Sequence, residues 1–187
     1  MRIIAGRFKG IRIPSPRKGN VRPTTDRVRE ALFSILGSAV DRANVLDLFA
    51  GTGTFGFEAL SRGASSVVFV DHDRDIARIL GATAKALGIE GQVRILNLPV
   101  SKAAKHLREA GNQFGIVFLD PPYGEQVVPK LFAGPDLPSL LEPEGLLVVE
   151  SEANAPECAA PSALRRSFSR RYGDTLIEIY VRDSEVR

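Results

Sequence analysis

Five short apolar runs separated by stretches of helical period constrain this chain more than any other feature. They are Val45-Leu46-Asp47-Leu48-Phe49, Val67-Val68-Phe69-Val70, Val93-Arg94-Ile95-Leu96, Ile116-Val117-Phe118-Leu119 and Leu146-Leu147-Val148-Val149. Each is about as long as a buried strand. Helical patterns separate most of them, most clearly over residues 55–62 and 74–87. In the second of these, Ile76, Ile79, Leu80 and Leu87 recur at helical spacing and Gly88 stands as a stop. Such alternation predicts an α/β fold, doubly wound, with a mostly parallel sheet covered by helices on both faces. After Glu150 the alternation fails. Residues 167–172 and 175–181 read as two strands joined at Gly173-Asp174, an antiparallel C-terminal hairpin closing one sheet edge.

The segment ahead of the first run has a different character. Residues 1–5 and 11–14 flank a turn at residues 6–10 and predict a small N-terminal β-hairpin. Pro14, Pro16, Gly19 and Pro23 make a stiff linker, and Thr24-Thr25-Asp26 then supplies N-cap oxygens and a first-turn negative charge. A helix follows, with Val28, Ala31, Leu32, Ile35 and Leu36 on one face and Gly37 at its end. The division expected is a basic arm and linker over 1–22 and one larger domain over 23–187. Residues 1–30 hold nine basic side chains against Asp26 and Glu30 and so carry +7, which leaves −4 on the rest of a chain of net charge +3. A basic arm on a mildly acidic body fits a polyanion held through phosphates, most plausibly nucleic acid, although a solvated, solubilising terminus has the same composition. Arg7, Lys9, Arg12, Arg17 and Lys18 are the candidate RNA-binding residues of the arm, joined by Arg22 and Arg27 at the linker's end. The single cysteine, Cys158, excludes an internal disulfide and supports neither a zinc site nor a nucleophile. No apolar run approaches the roughly 20 residues that span a bilayer, so the expectation is a cytoplasmic chain without membrane contact.

The first apolar run leads into Asp47-Leu48-Phe49-Ala50-Gly51-Thr52-Gly53-Thr54-Phe55-Gly56. Gly51, Gly53 and Gly56 match the dinucleotide pattern G-x-G-x-x-G, so a nicotinamide enzyme competes here, as does a plain tight turn before a helix. Asp71, after the second run, suits the ribose-binding acid of either cofactor class. Asp47 discriminates. A carboxylate just ahead of the glycine turn repels a pyrophosphate and favours a cationic ligand such as the ammonium and sulfonium of S-adenosylmethionine.

The fourth run ends in Asp120-Pro121-Pro122-Tyr123, the candidate catalytic segment. Two prolines remove two backbone donors and stiffen the loop, leaving carbonyl oxygens free at the carboxyl edge of a sheet, where open α/β folds bind ligands. Acceptors there suit an exocyclic amino group of a nucleobase, whose hydrogens Asp120 and a carbonyl accept while Tyr123 stacks on the ring. The bland alternative is a proline-rich turn after a buried strand.

These residues resemble the class I S-adenosylmethionine-dependent methyltransferases that modify exocyclic amines. The likeness rests on Asp47-x-Phe49-x-Gly51-x-Gly53, on Asp71 and on Asp120-Pro121-Pro122-Tyr123. Arg2-Ile3-Ile4-Ala5-Gly6-Arg7-Phe8-Lys9-Gly10 and the block from Arg22-Pro23-Thr24 to Phe33 are more specific. They resemble the opening of the RsmD family, the 16S ribosomal RNA guanine-N2 methyltransferases, and Tyr172-Gly173-Asp174-Thr175 fits that family's closing hairpin. The resemblance implies a seven-stranded Rossmann-like sheet, S-adenosylmethionine as cofactor with S-adenosylhomocysteine as product, and no metal. It also implies 16S rRNA as partner within a small-subunit particle, without an obligate protein partner. The cofactor residues expected are Asp47, Phe49, Gly51, Gly53, Asp71, His72, Asn97, Leu98, Asp120 and Thr24. Asn97-Leu98 departs from the wider pattern, where an acid often follows the third strand; Asn97 can accept through its amide oxygen, or backbone near Leu98 can serve. Two alternatives stay open: an adenine-N6 methyltransferase and a non-catalytic RNA-binding assembly factor. His106 reads as a residue on a wet helix face, and Arg165-Arg166 with Arg170-Arg171 form a second basic cluster.

Overall fold

A computed structural model describes residues 1–14, 25–122, 127–156 and 158–184. Seven strands form one sheet in the order β3-β2-β1-β4-β5-β7-β6, where β1 is Asn44–Asp47, β2 Ser66–Val70, β3 Val93–Leu96, β4 Phe114–Leu119, β5 Leu141–Glu152, β6 Leu164–Tyr172 and β7 Thr175–Arg182. The chain divides into two compact units, Met1–Val100 and Ser101–Arg187.

In the first unit β1, β2 and β3 are parallel, with Asp47 opposite Phe69 and Phe69 opposite Ile95. Their helices start and stop where local chemistry dictates. In α1 (Asp26–Leu36) the Thr25 hydroxyl accepts the Val28 amide, and Gly37 at φ 52 ends the helix. In α3 (Arg74–Leu87) the Asp73 carboxylate accepts the Asp75 amide at 2.7 Å, and Gly88 takes the left-handed conformation at the other end. The core joins Val45, Leu46 and Leu48 to Phe69 and to Phe57 and Leu60 of α2 (Thr54–Ser61), with the Phe57 and Phe69 rings 4.8 Å apart.

The N-terminal hairpin exists but carries one ladder bridge, Arg2 to Arg12, flanked by the Ile3–Ile11 and Gly10–Ile3 backbone bonds. It is no free arm. Its apolar residues Ile3 and Ile13 are buried, and its backbone is fastened to α2. Glu58, fully buried, accepts the Ile4 and Ala5 amides at 2.8 and 3.1 Å, and Ser61 bonds the amide of Phe8 and the carbonyl of Ala5. Not every basic side chain of residues 1–30 is therefore available to a polyanion. Arg29 is wholly buried, donating to the Arg2 carbonyl and to Asp26 and lying 3.8 Å from Glu58, while Arg2 pairs with Asp26. Two of the nine basic side chains thus serve internal ion pairs.

In the second unit β4 and β5 are parallel, and β7 pairs antiparallel with both β5 and β6. β6 is the edge strand of the closing hairpin, as expected. β6 starts at Leu164, three residues ahead of the expected span, and other features of the chain depart too. β1 stops at Asp47 because Leu48 and Phe49 already belong to the turn, and β5 starts at Leu141, five residues before its apolar run. After α4 (Val100–Glu109), two short helices, α5 (Val127–Phe132) and α6 (Asp136–Ser139), hold Pro129 and Pro138 and show no readable period. Among the described residues, no helix is long and apolar enough to cross a membrane, and no group of three His, Cys, Asp or Glu could hold a metal ion.

Candidate active site

The cofactor candidates of the first unit converge on the carboxyl ends of β1, β2 and β3. Asp47 is the last residue of β1 and only 1% exposed. Its Oδ2 accepts the Gly56 amide at 3.2 Å, whereas Oδ1 is buried with no hydrogen-bond partner. Burial pushes the Asp47 carboxyl up to about 7; the Gly56 amide pulls it down and the Asp71 charge adds a further upward push. The glycines have separate tasks. Gly53 stands at φ 78, where a side chain is strained, and a Cβ on Gly56 would lie 2.2 Å from the Phe69 ring, so α2 can close on β2 only with glycine there.

Asp71 ties the loop to its neighbours. Its Oδ2 accepts the Gly51 amide at 3.0 Å and its Oδ1 the Asp73 amide at 2.9 Å; Asn97 donates its side-chain amide to the Asp71 carbonyl at 3.0 Å. This network decides between the two cofactor classes. The amides of Gly51, Gly53 and Gly56 are donated to Asp71, to the Ala50 carbonyl and to Asp47, so none of the three is left to cradle a pyrophosphate. An orphaned buried carboxylate oxygen instead fits an ammonium group, and a Cβ on Gly51 would meet nothing within 4 Å, leaving space above the loop. The acceptors also suit the rest of S-adenosylmethionine. Asp71 keeps lone pairs that ribose hydroxyls could use, and Asn97, whose nitrogen is engaged, keeps an amide oxygen able to accept from an adenine amine.

Other expected residues fall less centrally. Phe49 is half-buried in the turn, and His72 is exposed with Nδ1 3.7 Å from Asp71. The Leu98 amide is donated to the Leu96 carbonyl at 3.0 Å in a tight turn, so an acceptor of the backbone near Leu98, rather than this donor, is what suits an adenine amine. In the second unit Asp120 directly follows β4, Pro121 is buried and Pro122 exposed. Tyr123, Thr24, Arg17, Lys18 and Arg22 lie outside the described residues. Lys9, Arg12 and Arg27 are exposed; Arg7 is exposed too, but bonds Gln92 at 2.5 Å and lies 4.5 Å over the Phe8 ring. The sequence reading missed Glu58 and Arg29. An acid inside an apolar helical pattern, at Phe57-Glu58-Ala59-Leu60, is the signal that could have found the first.

Known proteins match along this same length. A family model described as Conserved hypothetical protein 95 matches residues 1–181. Ribosomal RNA small subunit methyltransferase D of Escherichia coli strain K12 is 34% identical over 188 residues, covering 99% of this chain and 91% of its own. The methyltransferase D of Haemophilus influenzae is 36% identical over 163 residues, covering 83% of this chain and 81% of its own. The solved structure of yhhF from Escherichia coli superposes with a TM-score of 0.84 at 33% identity, covering 99% of both chains. A whole-chain family match, joined to the carboxylate and glycine network at the strand ends, makes this chain a member of the RsmD family of methyltransferases.

Proposed function

We propose that this chain, in the cytoplasm, methylates the exocyclic N2 of a guanine in 16S ribosomal RNA within a small-subunit particle, with S-adenosylmethionine as donor. The observation that carries the reading is Asp120-Pro121-Pro122 directly after β4, in a chain that ribosomal RNA small subunit methyltransferase D matches over 99% of its length. In this reading residues 1–22 face the RNA and 23–187 perform the transfer.

When bound, the cofactor supplies a methyl group activated by a positive sulfur. Asp47 attracts its ammonium, Asp71 accepts from its ribose hydroxyls and Asn97 accepts from its adenine. The chemical difficulty lies in the substrate, because an amine conjugated to a purine has its lone pair delocalised into the ring. Asp120 and a carbonyl of the proline segment accept the two amine hydrogens, which favours a pyramidal nitrogen with its lone pair aimed at the methyl carbon. Transfer of the methyl from sulfur to nitrogen would leave a neutral thioether on the cofactor, and the Asp120 carboxylate would stabilise the positive charge on nitrogen until the surplus proton passes to solvent.

Incubating small-subunit particles and free 16S RNA with methyl-labelled cofactor, then analysing nucleosides, is expected to yield labelled N2-methylguanosine. Labelled N6-methyladenosine would reassign the base, and absence of label would leave a non-catalytic RNA-binding factor. Asp71→Ala is expected to weaken cofactor binding by about 1.5–3 kcal/mol, the range for hydrogen bonds to a charged partner, as read by calorimetry.

Asp47 adds a pH dependence. Only its ionised form attracts an ammonium, so cofactor affinity is expected to rise with pH through about 7 and then level off. Stability of the ligand-free protein runs the opposite way. A carboxyl whose pKa folding raises contributes stability below its unfolded value near 3.8 and loses it as pH climbs through about 7. Asp47→Asn should abolish both trends. Calorimetry and thermal melts across the neutral range check them, and a wild-type affinity flat over that range would remove Asp47 from the cofactor contacts.

A further inference from the structure

β6 is an outer strand of the sheet, and in nine residues it carries Arg165, Arg166, Arg170 and Arg171 and no acid. All four arginines are exposed. Charge on an edge strand ordinarily prevents pairing with another edge. For Arg165 and Arg166 that role is sufficient, since they meet Asp183 at 3.6 Å and Glu178 at 2.9 Å. Arg170 and Arg171 have neutral partners among the described residues. Arg170 lies over the Tyr172 ring at 5.4 Å, and Arg171 donates to the Gly173 carbonyl at 2.7 Å and toward Asn154 at 3.5 Å.

Register separates the two pairs further. Leu119 is opposite Val149, Val149 opposite Glu178, and Glu178 opposite Ser169. β6 runs parallel to β4, because each of the two pairings through β7 is antiparallel. Asp120 and Arg170 therefore each stand one residue beyond the same row, three strand spacings or about 14 Å apart. Arg165, by contrast, follows through Val181 and Leu146 to the row of Ile116, about 13 Å down the strand from Asp120.

We propose that Arg170 and Arg171 grip phosphates of the RNA strand flanking the base presented to Asp120, whereas Arg165 and Arg166 serve only the edge. The proposal rests on the reading of this chain as an RNA methyltransferase. Guanidinium groups suit the task, since their planar fork matches phosphate geometry. Asp174 in the adjoining turn offsets part of the charge, so the attraction is short-ranged and directed at individual phosphates.

The test compares R170Q/R171Q with R165Q/R166Q in the full chain, using a 16S ribosomal RNA transcript over a series of salt concentrations and cofactor affinity as the check on folding. For R170Q/R171Q the expected result is an affinity about tenfold weaker at low salt. The log–log salt slope should be shallower by about 1.4, at roughly 0.7 per single-strand phosphate contact. R165Q/R166Q should stay within twofold of wild type with an unchanged slope. A wild-type slope in R170Q/R171Q, or equal losses in the two variants, would overturn the assignment. A wild-type chain that binds cofactor but neither the transcript nor small-subunit particles would overturn the methyltransferase-on-RNA reading itself, and this proposal with it.

Discussion

Asp120→Ala is expected to lower turnover by about 10²–10³-fold while cofactor affinity stays within about threefold, because the lost acceptor matters chiefly as charge develops on the amine. The asymmetry follows from its place. Asp120 comes directly after β4 in the second unit, whereas the Asp47, Asp71 and Asn97 network is closed among residues of the first. Asp120→Asn keeps an acceptor oxygen but loses the charge, so it should fall between wild type and Ala. Single-turnover rates with saturating cofactor and RNA separate chemistry from binding. Turnover within about threefold of wild type in Asp120→Ala would rule out a role in orienting the amine.

Glu58→Ala should cost about 3–5 kcal/mol of stability, the range for removing one partner of a buried ion pair. Its two oxygens serve more than a charge. They accept from Ile4, from Ala5 and, at 2.7 Å, from Arg62. Without them two backbone amides and Arg62 lose their acceptor, and the buried Arg29 loses the negative charge 3.8 Å from its Nε. Burial already pushes the Arg29 pKa down while Glu58 and Asp26 push it back, so the two acids offset the cost of burying that guanidinium. Denaturant melts measure the loss. Limited proteolysis should show residues 1–14 cut earlier than in wild type, and a loss below about 1 kcal/mol would mean that apolar packing of Ile3 and Ile13 suffices to hold the hairpin. Glu58→Gln, which keeps one acceptor, should show a smaller effect of the same kind.

Legibility of the sequence varied with the physics behind each element. The bounds of α3 match the sequence reading because Asp73 and Gly88 are local signals acting on neighbouring backbone. The strands β2 and β3 were equally plain from their apolar runs. The N-terminal half of β5 was not, since Glu142 and Glu144 interrupt the apolar pattern and Glu144 takes φ 60. In the site, Asp47, Gly51 and Asp71 could be named from spacing, yet their mutual bonding could not. Which loop amides remain unoccupied depends on partners 20 residues away, as for Gly51 and Asp71. In sequence Arg29 is indistinguishable from the exposed cations around it, because the buried acid beside it, Glu58, lies on another helix. Local periodicity marks the acid of such a pair, as at Phe57-Glu58-Ala59-Leu60, but not the base that it meets.

The docking of the hairpin also has a temporal side. Ile4 and its acceptor Glu58 are 54 positions apart along the chain. At a synthesis rate of about 5–20 residues per second, that separation amounts to roughly 3–11 s. Throughout this interval the hairpin has neither the carboxylate for its amides nor the Ser61 hydroxyl that bonds Phe8 and Ala5. Residues 1–14 thus precede α2 in the chain yet wait for it before they can be fastened.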